Sequence, residues 1–377
     1  MTAIGAARET AAGERRAALV PATVAQLVQD GFEVVVEVGL GAHCGYSDTA
    51  YADAGARVVG DRTAVLGASG LVVAVAAPDA SGLGADHALL SFLDPLGDPD
   101  RVARIAATGA SAFAFEFVPR TTRAQSMDAL SSQATVAGYH GVLLAAERSP
   151  RLFPLLMTAA GTVKARSVLV LGAGVAGLQA IATARRLGAV VTAFDVRAAV
   201  REQVESLGAR FLAIDVAGDE QAGGYAAALD HEQHAREQEA LAAACADADV
   251  VICTAQIPGA PAPELVTEAA VRRMRPGSVI VDLAASTGGN CACTRPGEGV
   301  DVDGVLVLGP RNPAAAMPAT ASDLYAANVR AFARLVAPEG RFDPDWDDEI
   351  VQGALVARGG EVVAERVRER LGGGGSS

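Results

Sequence analysis

From residue 33 to about residue 118, short β-branched runs alternate with stretches whose apolar residues return every three or four positions. EVVVEVG (33–39), GLVVAVAA (70–77), HALLSFL (87–93) and ASAFAFEFV (110–118) predict strands. PATVAQLVQDG, SDTAYADAG and DPDRVARIAATG predict helices that stop at glycine, the residue that tolerates the left-handed conformation of a helix end. Strand and helix in alternation imply a parallel sheet covered on both faces. A second set begins near residue 166 with RSVLVLGAGVAGLQAIATARRLGAVVTAFDVR and continues through ARFLAID, ADVVICTA, GSVIVDLAA and GVLVLG.

Between the two sets lies RTTRAQSMDALSSQATVAGY, residues 120–139. Projected at about 100° per residue, Met127, Leu130, Ala134 and Ala137 share one side, and Gln125, Asp128, Ser131 and Ser132 share the other. Amide, carboxylate and hydroxyl stand where an ordinary solvent face carries Lys and Glu. This helix and PATASDLYAANVRAFARLVA, which follows the second set, are expected to form a two-way hinge between domains. DPDWDDEIVQGALVARGGEVVAERV reads as a small appendage folding back on the first domain, with Trp346 as packing. The closing GGGGSS is low-complexity sequence expected to be disordered.

Composition narrows the function classes. The chain has 377 residues, is 51% hydrophobic and 20% charged, and carries a formal charge of −13, which fits a globular chain of two or three domains. It contains no apolar run of the length a membrane helix needs, about 18 residues or more, so direct membrane insertion is not expected. The start lacks the pattern of a secretory signal, which points to the cytoplasm. An acidic balance without a basic stripe argues against nucleic acid as a partner. The five cysteines, Cys44, Cys245, Cys253, Cys291 and Cys293, are scattered and odd in number, so free thiols are expected. Neither the Cys291/Cys293 spacing nor DHEQH (230–234) matches a metal site, and no metal is expected.

The strongest chemical signal is VLVLGAGVAGLQAIATARRLGAVVTAFD. Gly172, Gly174 and Gly177 directly follow a predicted strand and open a helix, and Asp195 ends the next strand eighteen residues past the last glycine. Gly172 permits the tight turn, Gly174 lets backbone approach a pyrophosphate, and Gly177 lets helix and strand pack closely. The first-turn amides, those of Val175 and Ala176 among them, then face the phosphates. Asp195 is expected to accept from the adenosine ribose, and its charge favours NAD(H) over NADP(H), although Arg197 two residues on works against that preference. The fold class expected is α/β, with two Rossmann-like doubly wound parallel-sheet domains and a cleft between them. Residues 1–135, completed by 322–377, form the first domain, and 136–321 the NAD(H)-binding one.

The whole chain resembles the NAD(H)-binding soluble component of proton-translocating nicotinamide nucleotide transhydrogenase, a family related to alanine dehydrogenase. The segments that carry the resemblance include ERRAALVPATVAQL, PRTTRAQSMDALSSQATVAGY, MTAAGTV, DVRAAVREQVESLGA, GGYA, IPGAPAP, GSVIVDLA, GGNC and DLYAANV. It implies that Arg120 holds the nicotinamide carboxamide, Gln125 reaches the nicotinamide ribose, and Asp128 and Ser131 orient the ring. It also implies cofactor contacts at Val196 and Arg197 beside Asp195, at Gly224 and Tyr225 in GGYA, and at Ala255 and Gln256 in TAQIPG. The implied reaction is NADH + NADP⁺ → NAD⁺ + NADPH, with NADP on a separate component and a membrane component coupling the reaction to proton movement. The chain would then be a homodimer in the cytoplasm, peripheral to the inner membrane through its partner subunits.

Two alternatives share the scaffold. An alanine-dehydrogenase-like enzyme needs an Arg, a Lys and a His around its substrate; Arg16 fits the first, but Ala74 and Ala76 stand where that family has KVKEP, and Asp94 where it has its His. A regulatory NAD-binding protein would fit departures from the transhydrogenase pattern at Gln256, Ala260, Ser286 and in the 309–320 loop.

Overall fold

The computed structural model describes residues 3–214, 220–221, 225–226 and 231–373, with no side-chain description for 220–221, 225–226, 231–235 and 373. Gly224, Asp230, the Tyr225 side chain, those of His231 and His234, and the end of GGGGSS therefore lie outside the described residues. The chain divides into two compact units, residues 1–133 with 314–377, and residues 134–313.

The first unit opens with six strands: β1 (Ala3–Ala6), β2 (Glu33–Glu37), β3 (Arg57–Val59), β4 (Leu71–Val73), β5 (Ala88–Ser91) and β6 (Ser111–Ala114). All pair in parallel in the order β6-β5-β4-β1-β2-β3, the doubly wound arrangement whose order reverses beside the first strand. The central strand β1 is AIGA, a run too short and too small to stand out as a strand in the sequence. Its glycine is required: a Cβ on Gly5 would lie 2.1 Å from Ser69 Oγ and 2.8 Å from a Val65 methyl.

The second unit holds a hairpin of β7 (Leu156–Thr158) and β8 (Gly161–Val163), followed by β9 (Ser167–Leu171), β10 (Val190–Phe194) and β11 (Arg210–Phe211). The two-residue strands β12 (Glu220–Gln221) and β13 (Tyr225–Ala226) pair with each other. β14 (Val250–Cys253), β15 (Val279–Asp282), β16 (Gly299–Val302) and β17 (Val305–Leu308) complete the set. The sheet order is β11-β10-β9-β14-β15-β17-β16, parallel except for β16 at its edge. β9, β14 and β15 are buried over almost their whole length, as VLVL, VVIC and VIVD require of strands covered on both faces.

After residue 313 the chain returns to the first unit, where β18 (Leu355–Arg358) and β19 (Glu361–Val362) extend the first sheet beyond β6 in antiparallel fashion. The helix Pro318–Val336 buries Tyr325, Phe332 and Val329 in the core of this unit, against Phe113 and Phe115. Trp346 stacks on Phe113 with ring centroids 6.4 Å apart and carries the Arg358 guanidinium 3.5 Å from its own centroid. All five cysteines are free thiols. No helix among the described residues is long and apolar enough to cross a membrane.

Candidate functional site

The carboxyl ends of β9, β10, β14 and β15 in the second unit carry the densest convergence of backbone groups, at the point where the strand order reverses. Gly172 has a φ of +96°, and a Cβ on it would meet Thr254 Oγ1 at 2.6 Å. A Cβ on Gly177 would sit 1.9 Å from the Gly172 carbonyl oxygen, so the helix Val175–Arg186 starts in direct contact with the turn that precedes it. Gly174, the residue before that helix, is exposed and would have nothing within 4 Å of an added Cβ. The turn is thus packed tightly at its first and third glycines and open at its second. The first-turn amides of the helix, which no helix satisfies internally, stand at this open edge.

Asp195 follows β10 and faces the turn. Its Oδ2 accepts from the Ala173 amide at 2.7 Å and from Arg197 Nη2 at 3.0 Å; its Oδ1 accepts from the Arg197 amide and Arg197 Nε, both at 2.9 Å. Burial works against the charge of this carboxyl, but the Arg197 and Ala173 hydrogen bonds outweigh it and hold the group below its ordinary range. Val196 is exposed beside the pair.

The next two loops are fixed by residues with no motif of their own. Asn290, fully buried, accepts from the Ala255 amide at 3.0 Å and donates Nδ2 to the carbonyls of Ala255 at 2.9 Å and Pro263 at 2.7 Å. Asp282, also fully buried at the end of β15, accepts from the amides of Ala284, Asn290 and Cys291 and from Thr294 Oγ1 at 2.7–3.0 Å. Thr254 Oγ1 donates to the carbonyls of Leu171 and Gly172, tying β14 to the glycine turn. Gln256 Nε2 donates to the Leu283 carbonyl at 3.3 Å, and Ser286 is exposed in the turn Ala285–Thr287. Ala255 and Gln256 therefore share one end of the sheet with Gly172, Gly174, Val175, Ala176, Gly177, Asp195, Val196 and Arg197.

In the segment that follows β6 the continuous helix expected over residues 120–139 is not formed. A 3₁₀ turn covers Thr122–Met127, Asp128 breaks it with ψ +81°, and the α-helix runs over Ala129–Arg148. The change of pitch rotates the buried face. Ala129, Gln133 and Val136 are buried, whereas Leu130, Ala134 and Ala137 are only partly so. Asp128 acts as the helix cap, accepting from the Ser131 amide at 2.9 Å and from Ser131 Oγ at 2.6 Å. Ser132 does not share that role; its Oγ donates to Asn328 Oδ1 at 2.7 Å. Arg120 and Gln125 are exposed, and their side chains have no hydrogen-bond partner among the described residues. The boundary between the two units falls within the helix Ala129–Arg148, after Gln133.

The domain described as "Alanine dehydrogenase/PNT, N-terminal domain" matches residues 5–137, and "Alanine dehydrogenase/PNT, C-terminal domain" matches residues 141–365. An NAD(P) transhydrogenase subunit alpha chain of Rhodospirillum rubrum is 42% identical over 372 residues, covering 94% of this chain and 96% of its own. The chain belongs to the alanine dehydrogenase/PNT family. A solved transhydrogenase structure from Sinorhizobium meliloti matches it with a TM-score of 0.87 at 42% identity, over 96% of this chain and 99% of the other. An L-alanine dehydrogenase structure matches with a TM-score of 0.83 at 26% identity, over 98% and 99% respectively.

Within this alanine dehydrogenase/PNT scaffold, the carboxyl ends of β1, β4, β5 and β6 gather a second polar cluster. Arg16 is almost fully buried; its Nε and Nη2 fork onto Glu14 at 2.8 and 2.6 Å, and its Nη1 donates to Gln133 Oε1 at 2.8 Å. Glu9 accepts from the amides of Val75 at 2.6 Å and Ala76 at 3.1 Å, and Glu116 from those of Asp94 at 2.7 Å and Leu93 at 3.2 Å. Burial raises both carboxyls to about 7. Tyr325, whose hydroxyl donates to the Ala74 carbonyl at 2.6 Å, lies in the same region. Gln133 and Glu9 carried no signal in the sequence, since their roles depend on partners far along the chain.

Proposed function

We propose that this chain is the NAD(H)-binding component of a proton-translocating transhydrogenase, passing hydride between its own nicotinamide nucleotide and NADP held on a separate component. The observation that carries the reading is the Asp195 carboxylate seated on the Ala173 amide, inside a turn that is closed at Gly172 and Gly177 and open at Gly174. That arrangement fits a dinucleotide. Phosphates suit the open edge and the first-turn amides of Val175 and Ala176, and the adenosine ribose suits Asp195. Asn290 and Asp282 keep Ala255 and Gln256 in place on the neighbouring loop. The names of the relatives, transhydrogenase subunit alpha among them, support a role within an assembly of several subunits.

The bound NADH supplies the hydride, and the chain supplies position. Such transfer needs no acid or base and depends on holding donor and acceptor carbons at near-attack distance. On this reading Arg120 holds the carboxamide and Gln125 the nicotinamide ribose, both with side chains uncommitted within the described residues. Asp128 and Ser131, paired at 2.6 Å, present a preset group toward the ring. Amino-acid dehydrogenase chemistry has less support: the Arg16 guanidinium is already committed to Glu14 and Gln133, and Ala74, Ala76 and Asp94 replace the rival's proton carriers.

The test is NADH-dependent reduction of thio-NADP⁺ by the purified chain, with and without the NADP-binding component of a related transhydrogenase, and alanine with NAD⁺ in parallel. Turnover only with the partner is expected. Gln125→Asn should lower that turnover about tenfold or more while NADH affinity changes by less than about threefold. NADH binding without partner-dependent turnover would favour the regulatory alternative.

We further propose that the working form is a homodimer. Leu155, Leu156 and Met157, on and beside the β7–β8 hairpin, are 58%, 41% and 75% exposed, an apolar group that a second copy would cover. Leu156→Glu with Met157→Glu is expected to convert the dimer to monomer by light scattering. A mass unchanged from the parent chain would sink this assignment.

A further inference from the structure

The Asp195 carboxylate is already saturated. A carboxylate offers about four lone-pair directions, and four donors occupy them: the amides of Ala173 and Arg197, and Nε and Nη2 of the Arg197 side chain. The two amides belong to backbone and are fixed by the turn. The other two belong to one guanidinium whose side chain is 34% exposed, against 6% for Asp195. A ribose diol that donates to Asp195 must therefore displace the guanidinium. The displaced cation stays two residues from the carboxylate, beside the position a 2′-substituent occupies.

We infer that Arg197 is a specificity-determining residue held in check by Asp195, competing with the ribose diol while the carboxylate is charged and free to take a 2′-phosphate once that charge is removed. The inference rests on the dinucleotide reading above. Asp195 then acts twice against a 2′-phosphate: it repels the group directly, and it occupies the cation best shaped to receive it, since a guanidinium forks onto phosphate oxygens as readily as onto a carboxylate. The Ala173 amide keeps the carboxylate in place for both roles.

The experiment measures dissociation constants for NADH, NADPH, 5′-AMP and 2′,5′-ADP with the parent chain, Asp195→Asn, Arg197→Ala and the double variant. Asparagine preserves the shape and an acceptor for the Ala173 amide. The parent is expected to prefer NADH and 5′-AMP. Arg197→Ala should tighten NADH by about two- to fivefold, because the competitor is gone. Asp195→Asn should weaken NADH and tighten 2′,5′-ADP and NADPH, each by about tenfold, and the double variant should lose that gain. Weaker NADH binding in Arg197→Ala would overturn the competition, and so would a gain for 2′-phosphates that is absent in Asp195→Asn or survives in the double variant. Arg197→Ala alters a partly exposed side chain, so its result stands even if Asp195→Asn folds poorly. A parent chain that binds neither NADH nor 5′-AMP would overturn the dinucleotide reading itself, an outcome distinct from failure of the Arg197 inference.

Discussion

Gly177→Ala is expected to abolish NADH binding and to destabilise the chain, whereas Gly174→Ala should lose binding with its fold nearly intact. At Gly177 the new methyl would lie 1.9 Å from the Gly172 carbonyl oxygen, 2.8 Å from its carbon and 3.1 Å from Thr254 Oγ1. Two of those three atoms are backbone, so no rotamer change relieves the clash. The helix Val175–Arg186 must move off the end of β9, at a cost of about 2 to 4 kcal/mol. The shift carries the first-turn amides away from the phosphates. The helix is also pinned from its other side, since a Cβ on Gly138 would lie 2.1 Å from the Ala176 carbonyl oxygen.

Gly174 behaves differently. Its φ of −75° suits any residue and an added Cβ meets nothing within 4 Å, so alanine there should change stability by less than about 1 kcal/mol. Yet the methyl projects into the space proposed for the pyrophosphate, and NADH affinity should fall at least about a hundredfold. Calorimetric unfolding beside NADH titration separates the two effects. Equal affinity in Gly174→Ala and the parent chain would remove the pyrophosphate from this turn.

The glycine turn was legible because each of its requirements is local: a strand, a positive φ, a close helix start and an acid at the end of the next strand all fall within about thirty residues. The clasp beside it was not. Asn290 meets Ala255 across 35 positions of sequence, and Asp282 gathers donors from a loop that has no periodicity. The sequence located a GGN turn but contained nothing to distinguish a ligand contact from a loop lock. The segment 120–139 misled for a different reason. A 100° projection assumes one helix, and the 3₁₀ turn before Asp128 breaks that assumption, so the projection shows no role for Gln133 although it is buried against Arg16. Strand β1 escaped notice because AIGA owes its place to Gly5, which the close approach of Ser69 demands, and β-propensity plays little part in it.

The second large effect is on the pH dependence of stability, and it comes from Glu9 and Glu116. Both carboxyls are raised from about 4.5 to about 7, chiefly by burial; the amides of Val75 and Ala76 around Glu9, and of Asp94 and Leu93 around Glu116, oppose the shift without cancelling it. Glu14 reinforces it at Glu9 while Arg16 opposes it, and Asp94 reinforces it at Glu116. Between those two pH values the folded chain holds protons that the unfolded chain has released. The contribution is therefore fully present below about pH 4.5 and is lost as the pH rises through about 7. At about 1.4 kcal/mol per unit, and reduced for partial exposure, each group should account for about 2 to 3 kcal/mol. Other titrations overlap this window, so the informative quantity is the difference in unfolding free energy between the parent chain and Glu9→Gln/Glu116→Gln. That difference should move against the parent by about 4 to 6 kcal/mol between about pH 5 and pH 8. Gln cannot release a proton, although its amide nitrogen faces one backbone amide and costs a hydrogen bond at every pH; that cost shifts the whole curve without altering its slope. A difference that stays flat across the window would mean that both acids are already charged at pH 5, and that the amides at the ends of β4 and β5 hold them more firmly than burial penalises them.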